Sequence, residues 1–288
     1  MKFLILGCNG MAGHTVSLYL KERGHEVLGL ARRESLLVKT VICDIADLKN
    51  LKDIIGTNRF DCIINCIGIL NQGAENNKAA AVFSNSYLPH YLSEITSKTH
   101  TQIIHMSTDC VFSGKKGQYT ENDFPDGNTF YDKSKALGEL NEEKNLTLRN
   151  SIVGPDLNPN GIGLLNWFLQ QKTDINGFIK AIWTGQTTLQ LAKTMEFAAK
   201  ERLSGLFNAV PDAFISKFEL LKLFNHYFRK DRLKIIPVDN IAVADKSLKC
   251  TKFNGYEIPD YDKMVCELAE WMRLHNDLYP HYYLKVKE

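Results

Sequence analysis

The fold is decided by residues 3–13, Phe3-Leu4-Ile5-Leu6-Gly7-Cys8-Asn9-Gly10-Met11-Ala12-Gly13, where an apolar run ends in a turn with three glycines. A short apolar run that stops at glycine is typical of a fully buried strand, and an apolar-periodic helix follows it to Gly24. Gly7 permits the tight turn, Gly10 lets the backbone approach a pyrophosphate, and Gly13 allows helix and strand to pack closely. The spacing is GxxGxxG, and its place between a strand and a helix predicts a dinucleotide site that also includes Asn9 and Met11.

The composition is that of an ordinary globular protein, with 44% hydrophobic and 24% charged residues among 288. A net charge of +2 gives no reason to invoke nucleic acid or an anionic membrane as a partner. Seven cysteines, without a CxxC pair, argue against a disulfide framework and a zinc site, so we predict no metal and a reduced, cytoplasmic setting. The opening apolar run is too short for a signal peptide, and no stretch is long and apolar enough to span a bilayer.

Strands and helices alternate along the first half of the chain. After the first strand, further strands are predicted over 25–30, 38–43, 60–67 and 102–106, and a long helix over 77–98. This alternation predicts an α/β fold with a parallel, doubly wound sheet. Beyond the strands at 147–153 the elements are shorter and less regular. We therefore predict a cofactor-binding domain over 1–153 and a smaller, mainly substrate-binding α/β domain over 154–288, with elements near 188–210 packing back on the first domain.

The ends of the next strands supply further candidates for cofactor binding. A cofactor without a 2′-phosphate normally meets an acidic residue after the second strand, but this chain has Arg32 and Arg33 there. Guanidinium groups suit a phosphate because their planar fork donates paired hydrogen bonds, so we predict NADPH, with NADH as the second option. The alternative is that the two arginines only solvate a loop. Asp44 and Ile45 are predicted beside the adenine, and Cys66-Ile67-Gly68 would let the backbone pass close to the cofactor.

The strand over 102–106 ends directly in Ser107, Thr108 and Asp109, and Tyr131 and Lys135 follow at helical i, i+4 spacing. A lysine close to a phenol lowers the phenol pKa from its usual value of about 10, so Tyr131 could exchange a proton with a carbonyl or an alcohol. Thr108 would orient the reacting oxygen. Taken alone, Tyr-x-x-x-Lys is a common accident. Its position after the glycine turn and the hydroxyl-ended strand indicates hydride chemistry.

These motifs together resemble the extended short-chain dehydrogenase/reductases. The set consists of GxxGxxG, Asn65-Cys66-Ile67-Gly68, the Ser-Thr-Asp-x-Val-Phe-x-Gly run over 107–114, and Tyr-x-x-x-Lys. Within that group the chain most resembles dTDP-4-dehydrorhamnose reductases and related nucleotide-sugar 4-ketoreductases. The resemblance covers residues 1–155 well and the remainder loosely.

The resemblance implies a Rossmann-type domain followed by a small domain that holds a nucleotide-diphosphate sugar. It also implies that Thr108, Tyr131 and Lys135 are catalytic, that Ser107, Tyr131 and Lys135 contact the cofactor, and that Asp109 and Val111 flank the sugar. The segments Arg149-Asn150-Ser151-Ile152-Val153-Gly154 and Gly185-Gln186-Thr187-Thr188 depart from the usual pattern where the sugar and nucleotide are recognised, so the exact substrate stays open.

The function expected from this resemblance is NADPH-dependent reduction of a nucleotide-diphosphate 4-keto-6-deoxysugar, in deoxysugar or cell-surface polysaccharide biosynthesis. One alternative is an epimerase or dehydratase, which shares the triad but keeps NAD bound; Arg32 and Arg33 speak against it and Asp109 in its favour. The other is a dinucleotide-binding regulatory subunit without catalysis. The oligomeric state stays open, a homodimer being one option.

Overall fold

The computed structural model of the chain describes residues 1–239, 244–253 and 255–282. The strands, in chain order, are β1 (Lys2–Leu6), β2 (Glu26–Ala31), β3 (Thr40–Ile42), β4 (Cys62–Asn65), β5 (Gln102–Thr108), β6 (Leu146–Asn150), β7 (Ile152–Val153), β8 (Ile175–Phe178), β9 (Ile182–Trp183), β10 (Gln186–Thr187), β11 (Gly205–Asn208), β12 (Ile215–Ser216) and β13 (Ile235–Val238).

The α-helices are α1 (Met11–Glu22), α2 (Leu48–Asn58), α3 (Asn71–Asn76), α4 (Lys78–Ala81), α5 (Leu88–Thr96), α6 (Phe130–Leu137), α7 (Leu164–Gln170), α8 (Thr188–Lys200), α9 (Lys217–Arg229) and α10 (Tyr261–Leu274). A π-helical turn spans Val82–Tyr87, and short 3-10 turns span Asp109–Val111 and Asn276–Leu278.

A seven-stranded parallel sheet forms the centre of the molecule, in the order β3-β2-β1-β4-β5-β6-β11. The strand order reverses direction between β1 and β4. At this point Leu6 of β1 pairs with Leu30 of β2 on one side and with Asn65 of β4 on the other. Ligands of open α/β sheets bind in the crevice outside the carboxyl ends of the strands at such a reversal. The predicted doubly wound, Rossmann-type α/β sheet is confirmed.

Alternate residues of β1 bury their side chains on opposite faces of the sheet, as the two-residue period of a strand requires. Phe3 and Ile5 join a cluster with Val16 of α1 and Met195 of α8. Leu4 and Leu6 join the opposite cluster. Helices therefore cover both faces of β1, which explains why its sequence is continuously apolar from Phe3 to Leu6 rather than alternating.

The predicted helix over 77–98 is divided into α4, the π-helical turn and α5. Pro89 is the physical reason for part of this division, because it has no N–H to donate to the Asn85 carbonyl in an α-helical register. The π-helical turn immediately before it absorbs the change of register. Helix α2, between β3 and β4, was not among the predicted elements.

The elements after residue 153 surround a cluster of their own, which includes Leu165, Phe168, Phe224, Leu268 and Met272. Small two-stranded pairings, β7–β10, β8–β13 and β9–β12, connect the segments there. β11, from the stretch predicted to pack back, extends the large sheet beside β6. The division into two domains near residue 153 stays a prediction. Within the described ranges, no helix has the length and apolar character needed to cross a bilayer.

Candidate active site

Two glycines of the first turn are required by the packing of the protein itself. Gly7 has a φ of +78°, in the left-handed region that favours glycine, and a Cβ added to Gly13 would lie 2.1 Å from the Gly7 carbonyl oxygen. A Cβ added to Gly10 would meet only that oxygen, at 3.4 Å. The exposed Gly10 is therefore not explained by crowding within the chain, and its open surface fits a diphosphate lying against the N-terminus of α1.

The predicted adenosine-side residues lie beyond the carboxyl ends of β2 and β3. The Asn9 side chain donates from Nδ2 to the Arg33 carbonyl oxygen at 3.0 Å, which ties the glycine turn to the exposed Arg32–Arg33 pair. Asp44 is also exposed, and its Oδ1 accepts from the Ala46 N–H at 2.9 Å, while Ile45 is half-buried. The structure thus brings Asn9 and the arginines together and leaves both guanidinium groups accessible.

Met11, the first residue of α1, faces the loop that precedes α7. A Cβ added to Gly163 would lie 2.9 Å from the Met11 sulfur. Met11 therefore borders the crevice where the segment after β7 passes the glycine turn.

The segment after β4 runs beside the predicted catalytic lysine. The Cys66 N–H donates to the Leu6 carbonyl oxygen at 3.1 Å, and the Ile67 N–H donates to Asn65 Oδ1 at the same distance. A Cβ added to Gly68 would lie 3.9 Å from Lys135 Nζ. Burial raises the pKa of the Cys66 thiol to about 12, so the thiol stays protonated and neutral at physiological pH.

Asn85, on the π-helical turn, fixes the position of this segment, although its role was not predicted. Its Oδ1 accepts from the Ile69 N–H at 2.8 Å, and its Nδ2 donates to the Ile69 carbonyl oxygen at 2.9 Å and to Ser134 Oγ at 3.0 Å. Asn85 thereby joins the end of β4 to α6. The available signal in the sequence was an asparagine four residues before a proline inside a predicted helix.

Thr108 ends β5 with its hydroxyl held by two local hydrogen bonds. Thr108 Oγ1 donates to Asp109 Oδ1 at 3.0 Å and accepts from the Cys110 N–H at 3.1 Å. Burial raises the pKa of the Asp109 carboxyl, while the Thr108 hydrogen bond and the nearby Lys246 ammonium lower it by less. Asp109 and Thr108 therefore form one polar pair at the edge of the sheet.

Helix α6 presents Tyr131 in its first turn, next to Thr108. Thr129 and Asp132 form a capping box, with Thr129 Oγ1 accepting from the Asp132 N–H and the Asp132 carboxylate accepting from the Thr129 N–H, both at 3.1 Å. Tyr131 is buried, and burial raises the pKa of its phenol; the nearby Cys110 raises it further, and Thr108 lowers it by less. The phenol is protonated at neutral pH.

Lys135 is buried one turn further along α6, and its Nζ donates to the Met106 carbonyl oxygen at 2.6 Å. Burial lowers the pKa of the Lys135 ammonium to about 8, against smaller upward effects of Glu139 and Cys66. The sequence predicted that Lys135 lowers the pKa of Tyr131. That expectation is wrong for the protein without cofactor, because the pKa of Tyr131 is raised. Burial raises the pKa of the Tyr131 phenol, and the Lys135 ammonium is anchored on β5 by the Met106 carbonyl oxygen.

Ser107 points toward a buried ion pair that was not predicted. Its Oγ donates to Glu139 Oε1 at 2.7 Å, and Arg149 donates to the two oxygens of the same carboxylate at 2.7 and 2.6 Å. The Arg149 guanidinium also lies over the Phe112 ring, with its central carbon 4.9 Å from the ring centroid. This network fixes the strand end that carries Thr108.

Val111, predicted to flank a sugar, has a fully buried side chain in a cluster with Phe112, Tyr119, Val210 and Leu248. Its backbone carbonyl accepts from the Gly127 N–H at 2.8 Å. The predicted substrate contact of Val111 stays a prediction. Asp109, in contrast, is only half-buried.

Known proteins resemble this chain in both sequence and structure. The family described as the RmlD substrate binding domain matches residues 1–250. The spore coat polysaccharide biosynthesis protein SpsK of Bacillus subtilis is 30% identical over 154 residues, which are 53% of this chain and 51% of that protein. A dTDP-4-dehydrorhamnose reductase of Aggregatibacter actinomycetemcomitans is 33% identical over 141 residues, 48% of this chain and 45% of that protein.

The chain thus spans about half the length of these curated relatives. The structural match is more extensive. The crystal structure of a hypothetical dTDP-4-dehydrorhamnose reductase from Sulfolobus tokodaii has a TM-score of 0.76 and 27% identity, covering 91% of this chain and 98% of that one.

Proposed function

The chain belongs to the family described as the RmlD substrate binding domain, and on that premise we propose that it is an NADPH-dependent reductase of a nucleotide-diphosphate 4-keto-6-deoxysugar. The observation that carries the proposal is the convergence of Thr108, Tyr131 and Lys135 at the carboxyl end of β5, beside the segment that follows β4. The names of the relatives, a spore coat polysaccharide biosynthesis protein and a dTDP-4-dehydrorhamnose reductase, support deoxysugar or cell-surface polysaccharide biosynthesis as its setting.

The cofactor would be held by the glycine turn with Asn9 and Met11, by Arg32, Arg33, Asp44 and Ile45, and by residues 66–68 with Ser107, Tyr131 and Lys135. When bound, NADPH supplies a hydride. Gly10 leaves the turn open to the diphosphate, and the exposed guanidinium groups of Arg32 and Arg33 suit the 2′-phosphate.

In this mechanism Tyr131 gives its proton to the carbonyl oxygen at C4 of the sugar. Burial raises the pKa of the phenol, so Tyr131 holds its proton at neutral pH and has it available for this direction of reaction. The Thr108 hydroxyl, which donates to Asp109 in the structure, would turn to the substrate oxygen and orient it. Asp109 would remain beside the sugar.

Oxidation of NADPH in the presence of dTDP-, UDP- and GDP-linked 4-keto sugars tests the proposal directly. We expect Tyr131→Phe to abolish turnover, a loss of at least about a hundredfold, while NADPH binding stays nearly intact. Tyr87→Phe is a matched control, since Tyr87 is an exposed tyrosine stacked on Phe83 and Tyr91. Full turnover by Tyr131→Phe would refute the assignment.

Cofactor choice is tested separately by replacing both arginines. We expect Arg32→Ala with Arg33→Ala to reduce the preference for NADPH over NADH by about tenfold or more, because a guanidinium pair on a phosphate contributes several charge-assisted hydrogen bonds. The ratio of kcat/KM for the two cofactors is the measurement. An unchanged ratio would mean that the arginines only solvate the loop.

Asp109 favours a second candidate, an epimerase or dehydratase. Its half-buried carboxyl has a raised pKa and lies next to Thr108, which suits a proton donor to the sugar. Such an enzyme would return the hydride within each cycle. Stoichiometric consumption of NADPH during turnover would exclude it, and turnover without net consumption would favour it over the reductase.

A further inference from the structure

His105 occupies a fully buried position between two elements of the site and was not assigned a role by its sequence. It lies on β5, where it pairs in register with Asn65 of β4. Its Nδ1 lies 3.2 Å from Asn65 Nδ2, and its Nε2 lies 3.4 Å from Lys135 Nζ. The ring therefore bridges the asparagine of one strand and the lysine of α6.

The hydrogen bonds of Asn65 determine which ring nitrogen carries the proton. Asn65 Oδ1 accepts from the Ile67 N–H at 3.1 Å, so the atom that faces the ring is Nδ2, which can only donate. His105 Nδ1 must then accept, and the proton of the neutral imidazole lies on Nε2, directed at Lys135 Nζ. Burial lowers the pKa of His105 well below its ordinary value, which keeps the ring neutral.

This arrangement opposes a full positive charge on Lys135. An ammonium carries only donors, and one of them is used on the Met106 carbonyl oxygen. Its contact with His105 Nε2–H would bring two donors together. A neutral amine has a lone pair that accepts the Nε2–H, and the lowered pKa of Lys135, about 8, agrees with this preference.

Other ionisable groups lie near His105 and Lys135. Glu139, which follows α6, favours the charged form of Lys135, but its carboxylate is bound by Arg149. Cys66, after β4, stays a neutral thiol. Tyr131 lies on the helix of Lys135, and His90, on α5, is exposed and bonded to the Leu137 carbonyl oxygen.

We propose that His105 is a positioning residue that keeps the Lys135 side chain ready to release a proton, so that Lys135 restores the proton of Tyr131 during reduction. The inference rests on the proposed function. The substrate oxygen takes the phenolic proton, the phenolate takes a proton from the Lys135 ammonium, and the resulting amine accepts His105 Nε2–H. The amine regains its proton from water once the product has left.

The tautomer of His105 can be measured without any substrate. Two-bond proton–nitrogen spectra of the full chain with labelled histidine separate a protonated from an unprotonated ring nitrogen, and His105→Gln assigns the signal. We expect the proton on Nε2 and a lone pair on Nδ1. A proton on Nδ1, or a doubly protonated ring at neutral pH, overturns the inference.

The kinetic test uses His105→Gln, whose amide oxygen can accept from the Lys135 ammonium and hold its proton. We expect the alkaline limb of the pH profile of kcat/KM to move to higher pH, and kcat at neutral pH to fall by about tenfold or more with little change in KM. His90→Gln is the matched control and should leave the profile in place. A His105→Gln profile identical to that of the wild type overturns the inference.

The two proposals fail in different ways. A wild-type protein that reduces none of the tested sugars overturns the proposed function and, with it, the role of His105 in restoring a proton. An active wild type with its His105 proton on Nδ1 overturns the role of His105 alone. If His105→Gln does not fold, sequential resonance assignment of the wild-type protein identifies the His105 signal, and that signal still decides between the tautomers.

Discussion

Gly10 and Gly13 lie three residues apart in one turn, yet an added methyl group would meet different surroundings at each. At Gly13 the new carbon would lie 2.1 Å from the Gly7 carbonyl oxygen, which is backbone and cannot rotate away. We expect Gly13→Ala to lower the free energy of unfolding by about 3 kcal/mol or to prevent folding, as forced overpacking does. Urea unfolding followed by circular dichroism measures this loss.

Gly10→Ala provides the comparison, because its added carbon would meet only one atom, at 3.4 Å. We expect its urea midpoint to stay close to that of the wild type while NADPH binding, followed by fluorescence titration, weakens markedly. Equal losses of stability in the two variants would contradict the distinction between a packing glycine and a ligand-facing glycine.

Single residues of the site were predictable from sequence where their role is local. The glycines act through the turn that they form, and Tyr131 and Lys135 share a helix face by their spacing alone. Asn85 acts through Ile69 and Ser134, which are 16 and 49 residues away. His105 and Glu139 likewise depend on neighbours from other elements, and no local pattern specifies such contacts.

Helix α2 was missed although its sequence marks an apolar face, with Leu48, Leu51 and Ile55 at helical spacing after the N-cap Asp47. Its buried residues are Leu51 and Ile55, and Gly56 lies within its last turn, where glycine has a low helix propensity. Gly56 is exposed, and a Cβ added to it would have nothing within 4 Å. We expect Gly56→Ala to raise the free energy of unfolding by about 0.5–1 kcal/mol, since alanine loses less backbone entropy in a helix than glycine does.

Gly24, just after α1, is the control for this helix prediction. It also has nothing within 4 Å of an added Cβ, but its φ of +80° is strained for alanine. We expect Gly24→Ala to lower the free energy of unfolding by about 1–2 kcal/mol. If the urea midpoints of Gly56→Ala and Gly24→Ala moved in the same direction, the free space around the added carbon, rather than the backbone conformation, would decide the outcome.

At the scale of the whole molecule, the parallel sheet was predictable and the second half of the chain was predictable only in outline. The strands on either side of the switch, β1 and β4, are apolar over residues 3–6 and 62–64 because helices cover both faces. Beyond residue 153 the strands are short and pair across long separations, as β8 does with β13. Strands of two to four residues carry too little periodicity to be recognised.

The two ends of the described chain meet at His14, whose Nε2 accepts from the Tyr279 hydroxyl at 2.8 Å across 265 residues. His14 is fully buried, and burial lowers its pKa from 6.5 to about 4, against smaller upward effects of Gly10 and Asp156. Between these two values the unfolded chain binds a proton at this histidine and the folded chain does not. Stability should therefore fall as the pH falls through this window, by about 1.4 kcal/mol per unit of pH at most.

We expect His14→Gln to reduce the slope of the unfolding free energy against pH by nearly one bound proton between pH 6.5 and 4. Some slope should remain, because the buried His105 also has a lowered pKa. Tyr279→Phe removes the hydrogen bond but leaves His14 buried, so it should lower stability at neutral pH by about 1 kcal/mol while most of the slope persists. Urea midpoints at several pH values distinguish these outcomes. A His14→Gln slope equal to that of the wild type would mean that His14 takes up its proton as readily in the folded protein as in the unfolded chain, in spite of its burial.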